Sequence, residues 1–354
     1  MKKAGFLALG ILTVAAQAST PTEPPFVPSF TTDFPDPFVL PWGGGYFAYA
    51  TNAKDFAANV QMATSRDLKS WTPVMAGPQG KQRLHDALPV LPKWAAPGRT
   101  WAPEVLRTGN SYILYFTAQE RKSGLQCVGV ALSTNDPRGP FVPQGDAPLV
   151  CQRNEGGTID ASPFRDNDGS LYLLYKSDGN NPRFLRPSRI FTQQLSADGL
   201  SLTGKATELI RNDQHWEWRV VESPTMLRDP QGRYVLLFSA NHFGWEADQR
   251  LSNYAMGYAR CETVTGPCVK AEENPILKSY NSPEKGCLSG PGHQTVFTAN
   301  AQPYVVFHAW AATAKCRLAE QSRYMYVAPL TWNDGTPKIG VSVRPQAQPG
   351  TPAQ

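Results

Sequence analysis

The sequence predicts an all-β fold, a five-bladed β-propeller in a single domain. Three observations carry this reading. The 354 residues include 29 glycines and 32 prolines, with turn signals recurring throughout and no long stretch of helical apolar period. One unit then repeats five times: DPFVLPWGGGYFAYAT from Asp36, APEVLRTGNSYILYFTA from Ala102, SPFRDNDGSLYLLYKS from Ser162, SPTMLRDPQGRYVLLFSA from Ser223 and GHQTVFTANAQPYVVFHA from Gly292. Each unit finally carries a second half that again reads as strand, turn, strand, as in VQMATSRDLKSWTPV and YAMGYARCETVTGPCV. About four strands per unit, repeated because one unit cannot bury both its faces, is the signature of a propeller.

In chain order, Lys2 and Lys3 precede the apolar run Ala4 to Ala16, and Ala16-Gln17-Ala18 is a small-residue cleavage site, so residues 1–18 read as a signal peptide. That run is too short to span a bilayer, and no later stretch is apolar enough. The expected location is therefore secreted or periplasmic, with no membrane partner. Residues 19–29 and 346–354 are Pro-rich tails expected to be loosely ordered, with the propeller over 30–345. In the first four repeats a proline precedes a short apolar segment, a turn follows, and a tyrosine opens the next strand. The fifth has His293 where the proline stood. The tyrosines, at 46, 112, 172, 234 and 304, are separated by 66, 60, 62 and 70 residues.

Composition narrows the partners. The formal charge is +5, two units of which come from Lys2 and Lys3, and the remaining basic residues form no run. Nucleic acid is not expected. Six cysteines in an exported chain without paired CxxC spacings favour disulfides over zinc. Short spacing favours Cys261 with Cys268, and less strongly Cys127 with Cys151 and Cys287 with Cys316. No GxSxG elbow, HExxH helix or Walker loop is present. "RDNDGS" at 165–170 has the offsets of a calcium loop, but the repeat places it in a blade hairpin, and the turn reading is preferred.

Because the first strand of each blade lines the propeller axis, residues starting the repeats converge on one end of the funnel. These are Asp36, Trp101, Asp160, Glu222 and His293. Three gathered carboxylates repel one another and are costly to desolvate, so a purely structural role is a poor account of them. Taken alone, Asp36 would be a turn residue, Trp101 core packing and His293 a satisfied core histidine. Together they suit glycoside hydrolysis, in which one carboxylate activates water, a second donates a proton, and a third can raise the acid's pKa. An indole offers an apolar plate for a sugar face.

The chain resembles glycoside hydrolase family 43 through "PDPF" at Asp36, "TIDASPF" at Asp160, "VVESPTML" at Glu222, "TWAPEV" at Trp101 and "SGPGHQTVF" at His293, in order and one blade apart. The resemblance implies an inverting enzyme with Asp36 as general base, Asp160 as modulator and orienter of the acid, and Glu222 as general acid. It implies plant cell-wall pentosans as substrates (arabinan, arabinoxylan, xylan), with release of α-L-arabinofuranosyl residues expected first and β-D-xylosidase or endo-arabinanase action as alternatives. Lys176 and Arg323 either reach the sugar or balance the acidic cluster. His293 contacts substrate, water or a cation on the axis. Some members hold calcium there, but no cofactor is expected to be required, and the expected state is a monomer. Outside this class, a non-catalytic glycan-binding propeller remains open. So does a retaining fructan-cleaving enzyme, although the first blade lacks its Asn-Asp-Pro-Asn context.

Overall fold

The structure, a computed structural model, describes residues 26–79, 81–245 and 251–343. The expected signal peptide, residues 19–25 of the N-terminal segment and the C-terminal tail lie outside the described residues. Five antiparallel four-stranded sheets succeed one another along the chain, each in simple 1-2-3-4 order. Their first strands are Phe38–Trp42, Ala95–Thr108, Thr158–Arg165, Val221–Arg228 and Gly292–Ala299. The second strands, Gly45–Ala50, Ser111–Glu120, Leu171–Ser177, Tyr234–Ala240 and Gln302–Ala312, open at or within two residues of the repeat tyrosines. The predicted five-bladed all-β propeller is what forms.

Those second strands read as nearly continuous apolar runs rather than clean alternations, and the packing explains why. Each blade is covered on both faces by its neighbours, so Ile113 to Phe116 and Val235 to Phe238 are all buried. Every inter-blade seam has its own apolar cluster. Tyr49, Met62, Leu114 and Phe116 fill the seam between blades one and two. Tyr115, Val130, Leu173 and Tyr175 fill the next. Leu174, Ile190, Leu236 and Phe238 join blades three and four, and Met256, Val305 and Phe307 join four and five.

The ring closes between blades five and one. The Ser29 N–H donates to the Met325 carbonyl at 2.8 Å, and the Phe34 N–H to that of Arg323 at 2.8 Å, so the N-terminal segment adds to the third strand of blade five, Leu318–Asn333. Phe26 packs edge-on against Phe307 at 5.8 Å, while Phe30 joins the seam with Val306 and Val327. Residues 26–29 are thus held by ring closure, in contrast to the loose order expected of the Pro-rich segment.

Disulfides join Cys127 to Cys151, Cys261 to Cys268 and Cys287 to Cys316, the pairs that short spacing favours. The "RDNDGS" hairpin is a turn. Both Asp166 oxygens are engaged by protein groups, Oδ1 by Arg228 at 2.6 Å and Oδ2 by the Tyr234 hydroxyl at 2.5 Å.

Phe30→Ala should lower stability by about 3 kcal/mol or more, since it removes a buried ring from the closing seam. The check is a lower denaturant midpoint, against Val90→Ser at an exposed position, where a change within about 0.5 kcal/mol is expected.

Candidate active site

Each inner strand begins with a break in regular β geometry. Asp36, Ala102, Asp160, Ser223 and His293 have φ of 57°, 46°, 57°, 52° and 50°, a left-handed conformation that costs a non-glycine residue on the order of 1–2 kcal/mol. In four blades the strand register also shifts there, between Trp101 and Glu104, Ile159 and Ser162, Glu222 and Thr225, and Gly292 and Thr295. Such bulges re-aim side chains. The kink fixes why the sequence pattern places functional residues at or just before one repeat position: Asp36, Asp160 and His293 occupy it, and Trp101 and Glu222 precede it by one.

A bulge frees a backbone N–H, and the neighbouring blade receives it. Ala102 donates to Thr51 Oγ1 at 3.0 Å, Asp160 to Thr117 Oγ1 at 3.2 Å, His293 to Ser239 Oγ at 2.8 Å and Asp36 to His308 Nδ1 at 3.1 Å. At the fourth blade the Ser223 N–H goes instead to the Asp160 carboxylate, 3.0 Å from Oδ2. Below this belt, fully buried Gln294 bridges blades, donating to the Ser223 carbonyl at 2.8 Å and accepting from the Ser239 hydroxyl at 2.6 Å.

The three predicted carboxylates come together around a cavity of about 260 Å³, lined also by Trp101, His293 and Arg323. Their environments differ. Asp36 Oδ1 lies 3.2 Å from Arg323 Nη1 and 3.3 Å from His293 Nδ1, and Oδ2 accepts from the Thr51 hydroxyl. Burial pushes its carboxyl up, but His293 and Arg323 beside it outweigh this and hold it well below the usual carboxylate range. Burial together with Arg323 lowers the neighbouring His308 to about 4, so its imidazole is neutral and Nδ1 is free to accept the Asp36 N–H. The Asp36–His308 contact is therefore not an ion pair.

Glu222 stands apart from Asp36 behind a stack of rings. Its Oε1 accepts from the Tyr254 hydroxyl at 2.7 Å, Tyr254 stacks on His308 at 5.9 Å, and His308 is the ring that touches Asp36. Gly292 makes the stack possible, because a Cβ there would come within 2.2 Å of the Tyr254 ring. The other oxygen, Oε2, accepts from Lys176 Nζ at 2.9 Å.

The proton-bearing carboxyl is where the structure departs from expectation. Burial raises Glu222, but Lys176 and Tyr254 stabilise its ionised form and bring it below its ordinary value. Burial, reinforced by the charge of Glu222, lifts Asp160 to about 6 against the pull of His293. Of the two, Asp160 is therefore the carboxyl that holds the shared proton. Glu104, a fourth carboxyl beneath the site, is pushed well above its ordinary value by burial, with the Ser162 hydroxyl donating to it at 3.0 Å.

Of the two roles open to Lys176, the structure favours charge balance: only 1% of its side chain is exposed, and Nζ is shared between Glu222 and Asp178. Arg323 balances Asp36 yet still lines the cavity. Arg323 Nη1 and His293 Nδ1 thus converge on one oxygen of Asp36. Among the described residues, three ligand-type groups meet at Glu120, Cys127 and Cys151, and both cysteines are in a disulfide.

Thr51, Tyr254, His308 and Phe243 were not singled out from the sequence, yet all line the cavity. Thr51 had a signal: a hydroxyl recurs five residues after the repeat tyrosine as Thr51, Thr117, Ser177 and Ser239. His308 had one too, as a polar residue interrupting an apolar strand. Tyr254 and Phe243 had none, because they enter from outside the repeated positions.

A family model, "Glycosyl hydrolases family 43", matches residues 26–337. The chain is 23% identical over 344 residues to the extracellular endo-alpha-(1->5)-L-arabinanase 1 of Bacillus subtilis, covering 94% of each. It is 22% identical over 292 residues to an extracellular exo-alpha-(1->5)-L-arabinofuranosidase of Cellvibrio japonicus, covering 79% of this chain and 80% of that one. Among solved structures, a thermostable family-43 glycoside hydrolase superposes with a TM-score of 0.72 at 28% identity, covering 91% of this chain and 97% of that one. An endo-1,4-beta-xylanase of Bacteroides thetaiotaomicron superposes at 0.69 and 27% identity, covering 90% and 98%.

Removing the cation behind Glu222 should expose its control of that carboxyl. Lys176→Met is expected to raise the Glu222 midpoint, measured by carboxyl carbon NMR titration. An unmoved midpoint would show that Lys176 does not set it.

Proposed function

Because the chain belongs to the glycosyl hydrolases of family 43, and is therefore a glycoside hydrolase, we propose that it inverts and releases α-L-arabinofuranosyl residues from plant cell-wall pentosans. The observation that carries this reading is the separation of carboxyl environments around one small cavity: Asp36 held ionised, and the Asp160–Glu222 pair retaining a proton up to about pH 6. Arabinose is favoured over xylose by the endo-alpha-(1->5)-L-arabinanase and the exo-alpha-(1->5)-L-arabinofuranosidase, which cover 94% and 79% of this chain.

In this mechanism Asp36 takes a proton from water as the water attacks the anomeric carbon, and the leaving oxygen receives a proton from Glu222 as its bond to that carbon breaks. Inversion needs roughly 6.5–9.5 Å between the two carboxyl groups to admit the water. The Tyr254–His308 stack between Glu222 and Asp36 suits such a gap. Asp160 and Glu222 titrate as a unit. A bound sugar that excludes water from Glu222 penalises its charge and draws the pair's proton onto it from the Asp160 side. Trp101, half-buried at the rim, supplies the apolar plate.

A second reading, internal cleavage of arabinan, is favoured by one observation. Open clefts of about 540 and 680 Å³ flank the central cavity and share Trp101 with it. Products from linear arabinan separate the two: arabinose from the outset for terminal release, oligosaccharides first for internal cleavage. Export is supported by the N-terminal pattern, the three disulfides and the word "extracellular" in both relatives' names.

The test compares nitrophenyl α-L-arabinofuranoside and β-D-xyloside with unactivated oligosaccharides. Asp36→Ala should lose about 10²–10⁴-fold on all of them, and Glu222→Ala should lose that much only where the leaving group needs protonation. Equal losses for both variants on both kinds of substrate would remove the assignment. With pH, kcat/KM should fall as the pH rises through about 6, where the pair loses its proton, and its acid limb should lie below the ordinary carboxylate range because Asp36 is already ionised there. A profile flat from pH 5 to 8 would contradict the paired-carboxyl account.

A further inference from the structure

We propose that Trp218, His242 and Phe243 form a binding strip for the departing saccharide, so that this enzyme prefers leaving groups several sugars long. The inference rests on Glu222 being the proton donor, since the side of the cavity on which the donor stands is the side from which the leaving group departs.

The cleft of about 540 Å³ beside the catalytic cavity shares Glu222, Trp101 and Phe243 with it and extends outward to Trp218. Phe243 is 46% exposed and Trp218 56% exposed, large apolar faces left open to water. His242 bridges them, 5.7 Å from Phe243 and 6.1 Å from Trp218. The strip is continuous with the catalytic cavity, and its occupant is accordingly the same chain, beyond the bond being cut. Flat apolar faces with Asn241 and Arg219 beside them suit a neutral polyhydroxylated polymer, which offers C–H faces to rings and hydroxyls to polar groups.

The exposure of Trp218 is built rather than incidental. In His215-Trp216-Glu217-Trp218 the first tryptophan turns inward onto Phe238 at 5.7 Å. The second is held outward with φ of 49°, a strained position for a bulky residue. What fixes that turn is a buried ion pair: fully buried Glu217 accepts from Lys270 Nζ at 2.7 Å on both oxygens and also from the Asp213 and Gln214 N–H groups at 2.8 and 2.9 Å. Asn212 Nδ2 donates to the Trp218 carbonyl at 3.0 Å, and Asn241 Nδ2 to that of Trp216 at 2.7 Å. A strained backbone, a buried charge pair and two side-chain amides together hold one indole in the cleft.

The experiment measures kcat/KM for linear α-1,5-arabino-oligosaccharides from the disaccharide to the pentasaccharide. The wild type should gain with length, and Trp218→Ala should cut the pentasaccharide-to-disaccharide ratio about tenfold, with Trp218→Phe restoring most of it. A wild type indifferent to length, or a ratio that Trp218→Ala leaves in place, overturns the proposal. Should no arabinoside or xyloside be hydrolysed, the catalytic reading fails by itself. The strip is then judged by calorimetric titration of Asp36→Ala, with and without Trp218→Ala, against arabinopentaose and xylopentaose. Tenfold weaker binding of either sugar in the double variant upholds the strip, and equal binding, or none, overturns it.

Discussion

The site depends on a left-handed backbone residue at the head of every inner strand. Five non-glycine residues accept this conformation, each at a cost on the order of 1–2 kcal/mol, where glycine would accept it freely. Glycine carries no side chain to place on the axis. The kink lifts Asp36, Asp160 and His293 out of the sheet and toward the funnel, and the N–H it releases is taken up across the seam by Thr51, Thr117, Ser239 or His308. Strain within a blade is thereby offset by a hydrogen bond between blades, and the same contacts that align the seams also aim the chemistry.

Charge is sorted by the partners each carboxylate receives. Asp36 is surrounded by His293 and Arg323, Glu222 by Lys176 and Tyr254, while Asp160 is given a backbone N–H and a like-charged neighbour. The expected assignment of the raised pKa to Glu222 therefore shifts to Asp160. Lys176, buried and shared between Glu222 and Asp178, is the cation that accounts for that shift.

The repeat made the fold and most of the site legible. Five copies of a strand pair imply a propeller, and the propeller implies that Asp36, Trp101, Asp160, Glu222 and His293 share one point. Residues outside the repeated positions were not legible. Tyr254 lies on the approach to a third strand, and Phe243 and Trp218 sit in connecting turns whose course depends on buried pairs such as Lys270 with Glu217. Order in the N-terminal segment was hidden for a related reason: Phe26 and Phe30 find their partners in blade five, almost 300 residues away, and a Pro-rich composition does not reveal a seam. Protonation was hidden as well, because it depends on which oxygen Lys176 reaches.

The central claim is that Asp36 activates water instead of bonding to the sugar. Its most direct test is the anomeric configuration of the first product, followed by proton NMR during hydrolysis of an α-L-arabinofuranoside before mutarotation mixes the anomers. The account predicts that β-L-arabinofuranose appears first. Initial release of the α anomer would contradict it, because retention requires a carboxylate to form and then lose a covalent bond to the sugar.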